Sequence, residues 1–177
     1  MSSVRITGRL AVITAVVSIG LVSGISPAAA SHAGGANSGI LNSSTWRVCV
    51  SGWIDGQNAT AYAINQVNRS QVYAYSTRCP SGYNVSSYSA SYPDSWYGLT
   101  SCANWVSATK CSQKSVRLNG RTITTMTQWR KTASHEFGHV GGLGHRYTNN
   151  SCMTQGVAPP ILTTFDGPDI DALNSTY

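Results

Sequence analysis

Apolar and polar positions along the chain fall into blocks of different period. Leu10 to Ile25 is an apolar run broken only by small residues. Trp46-Arg47-Val48-Cys49-Val50 alternates with a period of two and predicts a strand, and Asp55-Gly56 after it reads as a turn. Between Asn58 and Arg69, Ala59, Ala63 and Val67 recur four apart with Tyr62 and Ile64 beside them, the spacing of a helix. Gln71 to Thr77 carries the β-formers Val72, Tyr73 and Tyr75, so strand, helix and strand predict a crossover unit in a mixed sheet. Cys79 to Ser95 is rich in Ser, Tyr, Gly, Asn and Pro and predicts a long loop or short irregular strands. Trp96–Val106 and Ser115–Leu118 are the next strand candidates, and Asn119-Gly120 is a turn.

A long helix is then expected from near Thr125. At about 100° per residue, Met126, Trp129, Ala133, Phe137 and Val140 share one arc, which leaves the opposite face to His135 and His139. One face can pack on a core while the other floors a cleft. Asn149-Asn150-Ser151 reads as a turn, and Gln155 to Thr164, with Pro159-Pro160, as an irregular segment. Asp166-Gly167-Pro168-Asp169 opens a last helix, Pro suiting its first turn and Asp its positive end. Ile170, Leu173 and Tyr177 are spaced to dock it on the core.

Composition and charge add an address. Arg5 and Arg9, the apolar run and Ala28-Ala29-Ala30 have the three parts of a signal peptide, assigned to residues 1–30. Residues 31–45, rich in Gly, Ser, Ala and Asn, read as a flexible leader, and 46–177 as one folded domain. No later stretch is long and apolar enough to span a bilayer, so the mature form is expected in the extracellular space, without a membrane span and as a monomer. The formal net charge is +6, but the basic residues form no run, which argues against nucleic acid as a partner. Five cysteines on a secreted chain suggest two disulfides and one odd thiol. Cys102 and Cys111 are near enough to close a small loop, Cys49 with Cys79 is the second pairing, and Cys152 is left over.

The chemistry concentrates in residues 135–145, His-Glu-Phe-Gly-His-Val-Gly-Gly-Leu-Gly-His, which read H-E-x-x-H-x-x-G-x-x-H. Background usage gives such a pattern in roughly one in 10⁵ chains of this length, so chance is a poor account of it. Residues four apart share a helix face about 6 Å apart along the axis, and His135 and His139 can therefore aim at one metal ion. Gly142 can end the helix in the left-handed conformation and turn the chain back, so that His145 arrives as a third ligand. Three protein ligands leave a tetrahedral zinc ion one open position, the arrangement of a catalytic site. Glu136 can reach water there without being a ligand, as a general base. The blander reading is an ordinary amphipathic helix with incidental histidines. That suits a lone His, but not three of them together with Glu136 and Gly142.

With Met153 in Ser151-Cys152-Met153-Thr154, the motif resembles the zinc site and Met-turn of the metzincin metallopeptidases. The resemblance implies an α+β, metzincin-like zincin fold: a mixed twisted sheet, an active-site helix, a Met-turn and a C-terminal helix. It also implies that Met153 forms a hydrophobic base under the metal; alone, Met153 would read as a core residue filling a gap. Because His145 stands where the snapalysin pattern has Asp, and Gln155 where astacins and serralysins have a metal-approaching Tyr, the matrixin-like branch is nearest. Members of that branch also carry calcium sites built from clustered acids, and the 6 scattered Asp and Glu here argue against calcium. In the family an edge strand before the active helix pairs with extended substrate, a role open to Trp96–Val106 or Ser115–Leu118. The segment Gln155 to Thr164 walls a substrate pocket in the family, and no cysteine in 31–45 is present to provide latency.

The expected function is that of a secreted zinc endopeptidase acting on protein or peptide substrates, with zinc-bound water activated by Glu136 and residues 46–177 as the catalytic domain. The alternative is a non-catalytic extracellular binding module that keeps zinc for stability, with the aromatic stretch Tyr83 to Tyr97 as its binding surface. Bound metal without cleavage of any protein would favour that alternative.

Overall fold

A computed structural model describes residues 38–148, 150–156 and 161–177. The signal peptide assigned to 1–30, the leader up to residue 37, Asn149 and Pro159-Pro160 lie outside the described residues.

The core strand β2 (Thr45–Gly52) buries Trp46 and Val48 and exposes Arg47, as its alternation predicts. Helix α1 (Ile54–Val67) follows, then β3 (Tyr73–Thr77), parallel to β2. The predicted crossover unit is therefore present. The helix starts earlier than the pattern suggested, and Asp55-Gly56 lies in its first turn rather than in a separate turn. Gly56 serves close approach: a Cβ there would overlap the Ser89 side chain on the sheet below.

Ser89 belongs to β4 (Val85–Ala90), a regular strand where the composition suggested loop or irregular strands. It lies parallel between β2 and β6 (Lys110–Asn119), in the middle of the sheet. Its inward residues are Val85, Ser87 and Ser89, and Ser87 Oγ meets Thr60 Oγ1 of α1 at 2.8 Å. Small hydroxyls let α1 sit close and satisfy one another, so the strand is buried without an aliphatic signature.

The sheet runs β1-β6-β4-β2-β3, with β5 (Gly98–Trp105) antiparallel on β6 and every other pairing parallel. The result is an α+β fold with a mostly parallel sheet. Strand β1 (Ile40–Leu41) falls inside the stretch read as a flexible leader; Leu41 is fully buried, so residues 38–45 belong to the folded domain. Helix α2 (Met126–Val140) packs on α1 and on β5 and β6, burying Trp129, Ala133, Phe137 and Val140 against Trp46 and Leu118 in a single core. Helix α3 (Gly167–Thr176) places Leu173 in that core, and Tyr177 stacks edge-on against Trp46.

Cys49 pairs with Cys79 and Cys102 with Cys111, while Cys152 is free and buried. Among the described residues no helix is long and apolar enough to cross a membrane.

Candidate metal centre

Helix α2 is fixed at both ends. At its start Thr125 Oγ1 accepts from the Gln128 N–H and the Gln128 side chain accepts from the Thr125 N–H, a reciprocal capping box. At its end Gly142, with φ +86°, turns the chain left-handed. Gly142 N–H then donates to the His139 carbonyl at 3.1 Å and Leu143 N–H to the Gly138 carbonyl at 3.0 Å, the paired bonds of a Schellman motif. Lys114, buried on β6, donates from Nζ to the same His139 carbonyl at 3.1 Å, and burial lowers its pKa to about 7.

That turn also delivers the Leu143 carbonyl to His139 Nδ1, 2.6 Å away. The Cys152 carbonyl likewise receives His135 Nδ1 at 2.8 Å. A carbonyl can only accept, so both Nδ1 atoms carry the proton and both Nε2 atoms present a lone pair. These two Nε2 atoms face each other at 3.1 Å. Two lone pairs at that range repel unless a cation lies between them. Tetrahedral zinc with bonds of about 2.05 Å separates its nitrogen ligands by about 3.3 Å, so the fit is close. His145 completes the group: ligand atoms of His135, His139 and His145 all lie within 4.8 Å of one another, and the cluster can hold a metal ion. Anchoring of the far ring nitrogens on carbonyls is the usual support of metal-bound histidine.

Burial favours the neutral, ligating form of each ring. It pulls His135 well below the ordinary imidazole range and His139 down to about 4, and lowers His145 too. The same burial pushes Glu136 up to about 7, opposed by a hydrogen bond from Thr100 and by the charge of Lys131. Thr100 Oγ1 on β5 lies 2.7 Å from Glu136 Oε2 and 3.0 Å from the Glu136 carbonyl. Glu136 is therefore a buried carboxyl poised between its two protonation states near neutral pH.

Met153 is fully buried beneath this group. A Cβ on Gly138 would overlap its sulfur, so the helix rests directly on it. The turn carrying Met153 is held from the far side by a polar network. Ser151 Oγ accepts from Met153 N–H at 2.9 Å and donates to Asp169 of α3, and Arg146 bridges Asp169 and Asp166 at 3.3 and 3.0 Å. The turn's own backbone reaches the metal group, because Cys152 is the acceptor for His135.

A cleft of about 760 Å³ opens over the three histidines and Glu136. Gly98 to Cys102 of β5, Gln155-Gly156 and Lys131 also line it. Burial pulls Lys131 down to about 8, which leaves the ammonium form dominant at neutral pH. Every site residue named from sequence, His135, Glu136, His139, His145 and Met153, is thus brought to one place. Thr100 and Lys131 were not foreseen. Thr100 reaches Glu136 from 36 positions away across the β5–α2 packing, and Lys131 meets the Thr154 carbonyl from 23 positions away.

The chain matches no family model, and no curated protein is found to match it.

Proposed function

We propose that the protein is a secreted zinc-dependent endopeptidase of metzincin type, nearest to the matrixin-like branch. The observation that carries this reading is the pairing of two features in one cleft. Histidine nitrogens with their protons turned outward converge on one point, and a buried carboxylate stands beside them. A structural metal site has no use for such a base.

His135, His139 and His145 would hold the ion, which supplies Lewis acidity when bound, polarising the scissile carbonyl and lowering the pKa of water in the cleft to about 7. Glu136 takes a proton from the attacking water and hands it to the leaving amine. Burial raises the carboxyl from its ordinary range, the direction that suits a group asked both to take a proton and to give it back. The Thr100 hydroxyl holds one carboxylate oxygen so that the other is free for proton transfer. Substrate binding falls to β5, whose one strand partner among the described residues is β6; its other edge offers backbone groups to an extended peptide with modest sequence demands.

The test is Glu136→Gln in protein purified with zinc. Elemental analysis is expected to find the metal retained, and casein cleavage is expected to fall by about 10²-fold or more. A zinc-loaded variant that cleaves at the wild-type rate refutes the role of Glu136. A zinc-loaded wild type that cleaves nothing refutes the peptidase reading and leaves the zinc-stabilised binding module.

A further inference from the structure

One cation in the cleft touches none of the reacting groups named above. Lys131 lies one helical turn before His135 on the same face of α2, so Lys131, His135 and His139 run along the cleft floor at intervals of about 6 Å. Lys131 is only 5% exposed. Its Nζ donates to the Thr154 carbonyl, just past Met153, and this is its one acceptor among the described residues. The ion pairs among the described residues belong to Arg146; the charge of Glu136 acts on Lys131 without an ion-pair contact between them. An ammonium has three N–H donors, and two here are unspent. Next to it Thr132, 3% exposed and also at the cleft, keeps a buried hydroxyl without a partner among the described residues.

A buried charge without a direct ion-pair partner is costly, and this one lines a cleft through which a ligand can bring an anion. Glu136 is engaged by Thr100 and occupied with proton transfer. The two unspent donors leave room for an acceptor brought by the substrate. We infer that Lys131 is a specificity-determining residue that takes a carboxylate of the substrate close to the scissile bond. This rests on the peptidase reading. The carboxylate has two sources, an Asp or Glu side chain within an extended peptide or the free C-terminus of a short one.

The experiment uses zinc-loaded full-length protein and matched fluorogenic peptides. The peptides differ as Glu against Gln and Asp against Asn at each position around the cut, and each is made with a free and an amidated C-terminus. Wild type is expected to show kcat/KM about tenfold or more higher for the acidic member at one position, or for the free terminus, the size of a hydrogen bond to a charged group. Dependence on a side chain in amidated peptides identifies the first source; dependence on the free terminus identifies the second. Lys131→Met is expected to abolish the ratio, Lys131→Arg to keep it and Lys131→Glu to turn it towards basic peptides, each checked for zinc content and melting temperature. Equal rates for all pairs and both termini in wild type overturn the inference while the peptidase reading stands, and no variant is needed for that result. A ratio unchanged in Lys131→Met overturns it as well. Failure of wild type to cleave any peptide removes the peptidase reading and this inference together.

Discussion

Thr100→Val removes a single hydroxyl and little else, because Val has the same shape and suits a strand. Thr100 is 8% exposed, and its one hydroxyl proton faces two Glu136 oxygens, the carboxylate at 2.7 Å and the carbonyl at 3.0 Å. The closer acceptor is the carboxylate, so the bond stabilises the charged form and holds the Glu136 pKa below where burial alone would put it. Its removal must raise that pKa. A hydrogen bond to a charged group contributes about 1.5–3 kcal/mol, and because the proton is shared between two acceptors the lower figure applies. At 1.36 kcal/mol per unit this is about one pKa unit upward. A base is active when deprotonated, so the acid limb of the kcat/KM profile should move about one unit towards alkali. Activity should fall about tenfold on the acid limb, below the wild-type pKa, and converge with wild type at high pH. A cation on the histidines displaces both profiles equally and leaves the difference intact. The assay is kcat/KM against pH on one peptide, with zinc content checked. Superimposed acid limbs would refute the assignment of Glu136 as the base tuned by Thr100, and a loss equal at every pH would reduce Thr100 to a positioning contact.

Removing the metal should destabilise the fold, since it leaves the His135 and His139 lone pairs opposed at 3.1 Å. With zinc at a hundred times its dissociation constant the linkage is about 2.7 kcal/mol, or roughly 10 °C for a domain of this size, lost in chelator and restored by one equivalent of zinc. A melting temperature indifferent to chelator contradicts the centre. Asp169→Ala should cost about 3 kcal/mol in urea unfolding, because a fully buried carboxylate leaves Ser151 and Arg146 short of an acceptor; Arg146 keeps Asp166, which holds the loss to the low end for a broken buried pair. The same change should weaken zinc binding, since Ser151 also fixes the turn whose Cys152 carbonyl orients His135, and unaltered zinc affinity would disconnect the two.

The histidine cluster was legible because its spacing is local. His135, Glu136 and His139 share one helix, Gly142 marks where it ends, and the caps at Thr125 and Asp166 are short-range signals. Strand β4 was not, because periodicity methods read aliphatic faces and its buried face is Ser87 and Ser89. Gly56 misled for the same reason: the close approach it permits is to a strand more than thirty positions away, while its neighbour Asp55 made the pair look like a turn. Two-residue β1 acquires its register only from β6, far along the chain. Thr100 and Lys131 act across such long-range contacts, so no local window contains their partners.

The carbonyl anchors at His135 and His139 have a further consequence for which ions the centre will admit. With both outer ring protons committed, neither imidazole can rotate to offer its other nitrogen, and the converging donors are nitrogen throughout. Hard cations such as calcium and magnesium require oxygen ligands and in larger number. Abundance alone would therefore not let them displace a scarce borderline-soft ion from this pocket, and competition should come only from other transition metals, in the order set by imidazole affinity.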